Sequence, residues 1–200
     1  MPNYGEELVY WYLRLNGFFP IIDFVVHRCP EIKYSTDIDV LAVRFPYVYE
    51  EIGGQPEDWD KTLFGLFDDL SLPIGLIAEV KTGKVNIKEL FKPKIVEYAT
   101  GRFGFVKVFK KYSKSISENA LIVEPEKFQV AKILFSYRDN ERNDQFFQIP
   151  LSHVQTFLQN RILEYPKEKF QDRMFFDSIY IQSLIDATVR DREMNLHDAA

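Results

Sequence analysis

The stretch Ile74-Gly75-Leu76-Ile77-Ala78-Glu79-Val80-Lys81 decides how this chain is read. It is an apolar run with the character of a buried strand, broken only near its end by Glu79 and Lys81. Side chains along a strand alternate with a period of two, so these two charges point to one face. Charges on a core strand are costly unless they are paired or hold a metal. Upstream, Thr36-Asp37-Ile38-Asp39 leads into a second strand candidate, Ile38 to Phe45, closed by Pro46. Asp39, Glu79 and Lys81 at the ends of core strands make a candidate divalent-cation site with a cation beside it. Asp37 shares a face with Asp39 and is either a supporting carboxylate or a turn residue.

Working outward, residues 5 to 16 carry Leu8, Val9, Tyr12, Leu13 and Leu15 at helical spacing, with Gly17 as a stop. Ile21 to His27 reads as a strand. From Pro46 to Pro73 the character changes: seven acids face only Lys61, and Gly53, Gly54 and Pro56 punctuate. This is an acidic insertion between two core strands, with a helix expected over Asp58 to Leu70. That helix either packs on the sheet edge or covers the site. Val85 to Ala99 is helical in pattern, with Pro93 marking a break or a late start. Ala120 to Val123 is a short strand. Lys132 to Tyr137 and Gln145 to Ile149 are expected to form a hairpin. Pro150 opens a helix with Val154, Phe157, Leu158, Ile162 and Leu163 inward. A last helix, Phe175 to Val189, turns Ile179, Leu184, Ile185 and Val189 inward, and Asn195 to Ala200 is expected to fray.

Two hundred residues, 46% of them apolar, suffice for one sizeable core. No run long and apolar enough to span a membrane is present, and Met1 to Glu7 has no signal-peptide character, so neither membrane nor export is expected. The single cysteine, Cys29, excludes an internal disulfide and fits a cytoplasmic setting. Cys29, His27 and His153 are expected to pack or lie on the surface. The net charge of −5 argues against a constitutive nucleic-acid coat protein. The charge is unevenly placed, however. Residues 81 to 114 hold ten Lys or Arg against only Glu89 and Glu97, a local charge of +8 that begins at Lys81 itself. Such a block is either a solvated face or a surface for a phosphate backbone.

The order of the pieces is helix with Glu6, strand, strand with Asp39, strand with Glu79-Val80-Lys81, helix, strand. It resembles the PD-(D/E)XK nuclease superfamily, nearest to its Holliday-junction-resolvase-like and small bacterial nuclease-like members. Their opening helix has a Gly-Glu start and a later Tyr-Leu and Gly-aromatic, matched here by Gly5, Glu6, Tyr12, Leu13, Gly17 and Phe18. Their acidic strand motif is matched by Thr36 to Val40, and their Glu-x-Lys strand by Ala78 to Lys81. Lys94 and Tyr98 mirror the basic residue and aromatic of the next helix. The likeness covers residues 5 to 124; it departs from the small members in the forty positions between Asp39 and Glu79, which the insertion accounts for, and in lacking a literal Pro-Asp.

The resemblance implies an α/β fold with a restriction-endonuclease-like core, α-β-β-β-α-β, whose mixed central sheet is flanked by helices. Residues 1–124 would form that core with the insertion at 46–73, and 125–200 a C-terminal hairpin and helices packed on the same domain. It implies a DNA endonuclease in which Asp39, Glu79 and the Val80 carbonyl hold Mg²⁺, with Mn²⁺ as a substitute. Glu6 and Lys81 join Asp39 and Glu79 as catalytic residues, and Lys84, Lys88, Lys92, Lys94 and Tyr98 contact the nucleic acid. It also implies a homodimer, since junction- and duplex-cutting relatives often dimerise. The rival expectation is a non-catalytic nucleic-acid- or protein-binding module that shares the fold. In that case Asp39 and Lys81 are an ordinary cross-strand ion pair and Glu6 complements a helix dipole.

Overall fold

The computed structural model describes residues 3–26, 36–104, 115, 118–137, 143–170 and 178–198. Helix α1 (Tyr4–Leu15) starts at a reciprocal cap: Asn3 Oδ1 accepts from the Gly5 and Glu6 amides, and Glu6 Oε2 accepts from the Asn3 amide at 2.8 Å. This pairing satisfies amides that no helical carbonyl can reach. The helix ends at Gly17, whose φ of +80° suits a residue without a side chain. Strands β1 (Phe19–Val26), β2 (Thr36–Arg44) and β3 (Ile74–Lys81) follow, each antiparallel to its neighbour. Helix α3 (Pro93–Arg102) then leads on to β4 (Leu121–Glu124) and β5 (Phe128–Ser136). Strand β5 is buried along its whole length and lies parallel to β3.

The six-stranded mixed sheet runs β1-β2-β3-β5, and the far side of β5 is shared by two short strands. Strand β4 pairs antiparallel with its first half, and β6 (Phe147–Pro150) pairs parallel with its second half. Here the fold departs from the expected hairpin over 132–149. The hairpin partner of β5 is β4, turned through Pro125 to Lys127 with Glu126 at φ +61°. With that half of the edge taken, Phe147 pairs beside Ile133 in the parallel sense.

Period-two alternation divides the core. Ile74, Leu76, Ala78 and Val80 of β3 face α1, α4 (Leu151–Glu164) and α5 (Ile179–Asp198), together with Ala131, Ile133 and Phe135 of β5. Ile77, Leu41, Val130 and Leu134 face the other way, onto Val96 and Ala99 of α3. Burying each of the larger of these side chains, the Val, Leu, Ile and Phe, stabilises by roughly 1.5–3 kcal/mol. Helices therefore cover both faces of the sheet.

The insertion does not hold a helix over Asp58 to Leu70. Only one turn forms, α2 (Lys61–Phe64), capped by the Asp60 carboxylate on the Thr62 amide and stopped at Gly65. Its apolar residues Leu63, Phe64 and Phe67 join the core on the α1 face. Its end is tied to β5, where the Asp68 amide donates to Gln129 Oε1. That anchor lies beside Ile74, the start of β3, about 23 Å of strand away from Lys81. The segment packs on the core and does not cover the charged end of β3.

Two expectations for the last helix also change. Leu184 and Ile185 are buried as expected, but Ile179 is 71% exposed at the helix start and Ile181 is buried in its place. The helix runs on to Asp198, where fraying was expected from Asn195. Pro93 does mark a late helix start: a 3-10 turn at Ile87–Glu89 precedes it, and α3 begins at the proline.

Candidate active site

Register explains where the charges meet. Strands β2 and β3 are paired from Arg44–Ile74 to Val40–Ala78 and then part. Beyond that point β2 stays with β1, through Ile38–Phe24 and Asp37–Val25. Strand β3 stays with β5, through Glu79–Leu134, Val80–Phe135 and Lys81–Ser136. The sheet forks, and Asp39, Glu79 and Lys81 sit in the fork.

The Val80 amide, left without a β2 carbonyl, donates to Asp39 Oδ2 at 2.6 Å. Lys81 Nζ lies 2.7 Å from the same oxygen and 2.7 Å from Glu79 Oε2. Glu79 and Lys81 thus share a face, as strand alternation requires. The two carboxylates are nearly buried, with side-chain exposures of 15% for Asp39 and 12% for Glu79. Burial holds the Glu79 carboxyl above its usual range; Lys81 opposes this and Asp39 adds to it. Burial pulls the Lys81 ammonium down, but Glu79 and Asp39 more than offset it, so its pKa ends above the ordinary lysine value.

Glu6 reaches this neighbourhood through a close packing contact. A Cβ on Gly5 would lie 2.8 Å from Thr82 Cγ2 and 3.0 Å from Val80 Cγ1. Only glycine lets the first turn of α1 seat on the end of β3, and the next residue is Glu6. Burial raises the Glu6 carboxyl, the Asn3 amide opposes it, and the charges of Asp39 and then Asp23 raise it further. Glu6 is therefore both a helix cap and a member of the site's electrostatic field.

Asp23 was not singled out from sequence. It lies opposite Asp39 between the pairs Ile22–Val40 and Phe24–Ile38, on an exposed stretch of β1, with φ at +53°. The available signal was an acid interrupting the apolar run Phe19 to Val26. Lys84, Lys88, Lys92 and Lys94 are exposed on the segment from the end of β3 into α3, and Tyr98 is 40% exposed on that helix. Lys107, Lys110, Lys111 and Lys114 of the basic block lie outside the described residues, as do His27 and Cys29. Of Asp37 only the backbone is described.

His153, which has no partner at ligand spacing in the sequence, has one in the fold. Its Nε2 lies 2.6 Å from Oδ2 of buried Asp60, which also accepts the Tyr12 hydroxyl at 2.8 Å. This is a structural cluster, joining the insertion to α1 and α4.

As a cation site, the fork offers hard oxygens: two carboxylates, with the Val80 carbonyl on the same strand. The Lys81 ammonium, bridging Asp39 and Glu79, marks a point where this pair accepts positive charge. Among the described residues no three His, Cys, Asp or Glu side chains are gathered closely enough to hold a metal by themselves. Two carboxylates suit Mg²⁺, which keeps several waters. Among the described residues no helix is long and apolar enough to cross a membrane. Comparison with family models, with curated proteins and with solved structures finds no match to this chain.

Proposed function

We infer that this chain is a divalent-cation-dependent endonuclease acting on DNA, built on a restriction-endonuclease-like core. The observation that carries the reading is the fork. There Asp39 and Glu79, brought from strands that have just separated, close on the Lys81 ammonium at 2.7 Å each. The topology supports it in part: a helix, three antiparallel strands and a helix come first, and the strand parallel to the third is β5, reached through the short edge strand β4 and lying beyond residue 124, with the charges at the end of that third strand.

Asp39, Glu79 and the Val80 carbonyl would hold Mg²⁺, which when bound neutralises phosphate charge and acidifies a coordinated water. Lys81, fully charged at neutral pH, donates hydrogen bonds to the attacking water or to a phosphate oxygen, stabilising the charge that develops in the transition state. Glu6, with its carboxyl raised, would orient a water or exchange a proton with it. The exposed lysines from Lys84 to Lys94 supply counter-charge for the phosphates on either side of the scissile bond.

Plasmid nicking in Mg²⁺ or Mn²⁺ tests the reading. The wild-type protein nicks, while Asp39→Ala, Glu79→Ala and Lys81→Ala lower the rate by about 10³-fold or more. Equal behaviour of all four proteins rejects it. A second reading, a non-catalytic binding module, is favoured by one feature: the Lys81 ammonium already gives Asp39 and Glu79 a shared ion-pair partner. Calorimetric titration with Mn²⁺ separates the two, since only the enzyme shows binding that Asp39→Ala abolishes.

A further inference from the structure

The same end of the sheet that carries the fork also carries an exposed group of tyrosines from three separate elements. Strand β5 pairs Ser136 with Lys81, and the next residue, Tyr137, is 44% exposed. Tyr4 immediately precedes Gly5, the residue seated on Val80 and Thr82. The Tyr4 ring meets Tyr180 edge-on, with centroids 5.6 Å apart and planes at 71°. Tyr180 is itself 44% exposed at the start of α5. Tyr137 lies near enough to Tyr4 that, after burial, it helps to raise the Tyr4 phenol. Three rings from α1, α5 and the residue just past β5 therefore gather at this end of the sheet on its α1 side, while the Lys81 side chain leaves the strand on the other face. Across the site, on the α3 side, stand Tyr98 and the exposed lysines 84, 88, 92 and 94.

Resting on the nuclease reading, we propose that the substrate crosses this site as unpaired DNA, with its phosphates on the lysines and its bases stacked on Tyr137 and Tyr180. The chemistry is selective. A duplex keeps its base faces stacked on one another and offers a protein only edges and phosphates, so a ledge of ring faces gains nothing from it. A single strand or frayed end exposes π-faces of every sequence, and each stack on an aromatic side chain contributes about 1–3 kcal/mol. Tyrosine serves here because its ring stacks while its hydroxyl stays satisfied at a half-exposed surface.

The test is binding in Ca²⁺ by fluorescence anisotropy with three labelled probes of about 20 nucleotides: oligothymidine, an abasic chain, and a duplex. The expected order is oligothymidine about ten-fold or more tighter than either of the others. Tyr137→Ala and Tyr180→Ala each weaken oligothymidine binding about five-fold or more and leave the abasic and duplex probes unchanged. Tyr180→Trp, which keeps a stacking face, retains the wild-type preference. Equal binding of oligothymidine and the abasic chain, or alanine variants that bind as wild type, overturns the proposal; a ledge that docks an apolar peptide segment gives that result. The two readings fail separately. Lys81→Ala loses cleavage yet keeps the single-strand preference. A wild-type protein that never cleaves but prefers oligothymidine leaves the ledge standing and removes the nuclease.

Discussion

The Val80 amide is hydrogen-bonded to Asp39 Oδ2 at 2.6 Å, at the point where a backbone carbonyl of β2 would lie if the ladder continued. A side-chain oxygen has replaced a main-chain acceptor. This lets β2 and β3 separate without stranding a buried donor, and it fixes the carboxylate that the proposed chemistry needs. The relationship predicts a split between two substitutions. Asp39→Asn keeps an acceptor for the amide and stays folded, within a few tenths of a kcal/mol to about 1 kcal/mol of wild type, but loses cleavage. Asp39→Ala leaves the amide without its partner and costs a further 1–3 kcal/mol or so. Urea denaturation and a nicking assay on both variants check this; equal stability of the two would show that the hydrogen bond is not what holds the fork.

Some of this was legible before any coordinates. That Glu79 and Lys81 share a face follows from strand periodicity alone. Pro93 dictates where α3 starts. Other features depend on contacts remote in sequence. Nothing local to Asp39 says that its strand leaves β3 just beyond Val40, and nothing local to Asp23 says that it lies opposite Asp39. The parallel placement of β6 depends on β4 having occupied the first half of the same edge, an exclusion that no window of sequence contains. The helix expected over Asp58 to Leu70 stops after one turn at Gly65. Asp60 is committed to Tyr12 and to His153, 93 residues away, which sets the start of α2 from outside it.

Gly5 carries the second prediction. The space its missing Cβ would need is filled by Thr82 Cγ2 at 2.8 Å and Val80 Cγ1 at 3.0 Å. Gly5→Val forces the first turn of α1 away from the end of β3. It destabilises by about 1–3 kcal/mol and displaces Glu6 from the site. Activity therefore falls further in Gly5→Val than in a surface variant matched for stability. A thermal melt beside a cleavage rate measures both, and a Gly5→Val protein with wild-type values would show that the helix start is not seated as described.

Asp58 carries the third. It sits 2.8 Å from Arg161, both side chains are less than 5% exposed, and it also accepts from the Tyr165 hydroxyl at 2.7 Å. Burial alone would raise its carboxyl, but the Gln55 amide, the Tyr165 hydroxyl and Arg161 outweigh that and hold it below the usual aspartate value. A depressed folded pKa contributes stability that is present above the unfolded value near 3.8 and is lost as pH falls through the folded one. Asp58→Ala strands the Arg161 cation in the core and costs about 3–5 kcal/mol at neutral pH. It also flattens the acid limb of the stability curve below about pH 4. Urea midpoints taken from pH 7 down to pH 3 decide it, and a variant that follows the wild-type curve rejects the pairing.

Lys132 bears the opposite sign. It is 2% exposed on the α3 face of β5, with its ammonium 5.7 Å from the Phe91 ring centre. Burial lowers its pKa from the ordinary 10.5 to about 8. Between those two values the unfolded chain holds a proton that the folded chain has released, so this residue's contribution to stability rises with pH from about 8 to about 10.5. Below pH 8 the folded protein carries a buried charge at a cost of up to about 3 kcal/mol. Lys132→Met keeps the stem's volume without the charge. Its stability relative to wild type therefore falls as pH rises from about 8 to about 10.5. Melting temperatures of the two proteins across that range provide the measurement. A gap that stays constant with pH would mean the lysine titrates normally and its charge is solvated in the fold.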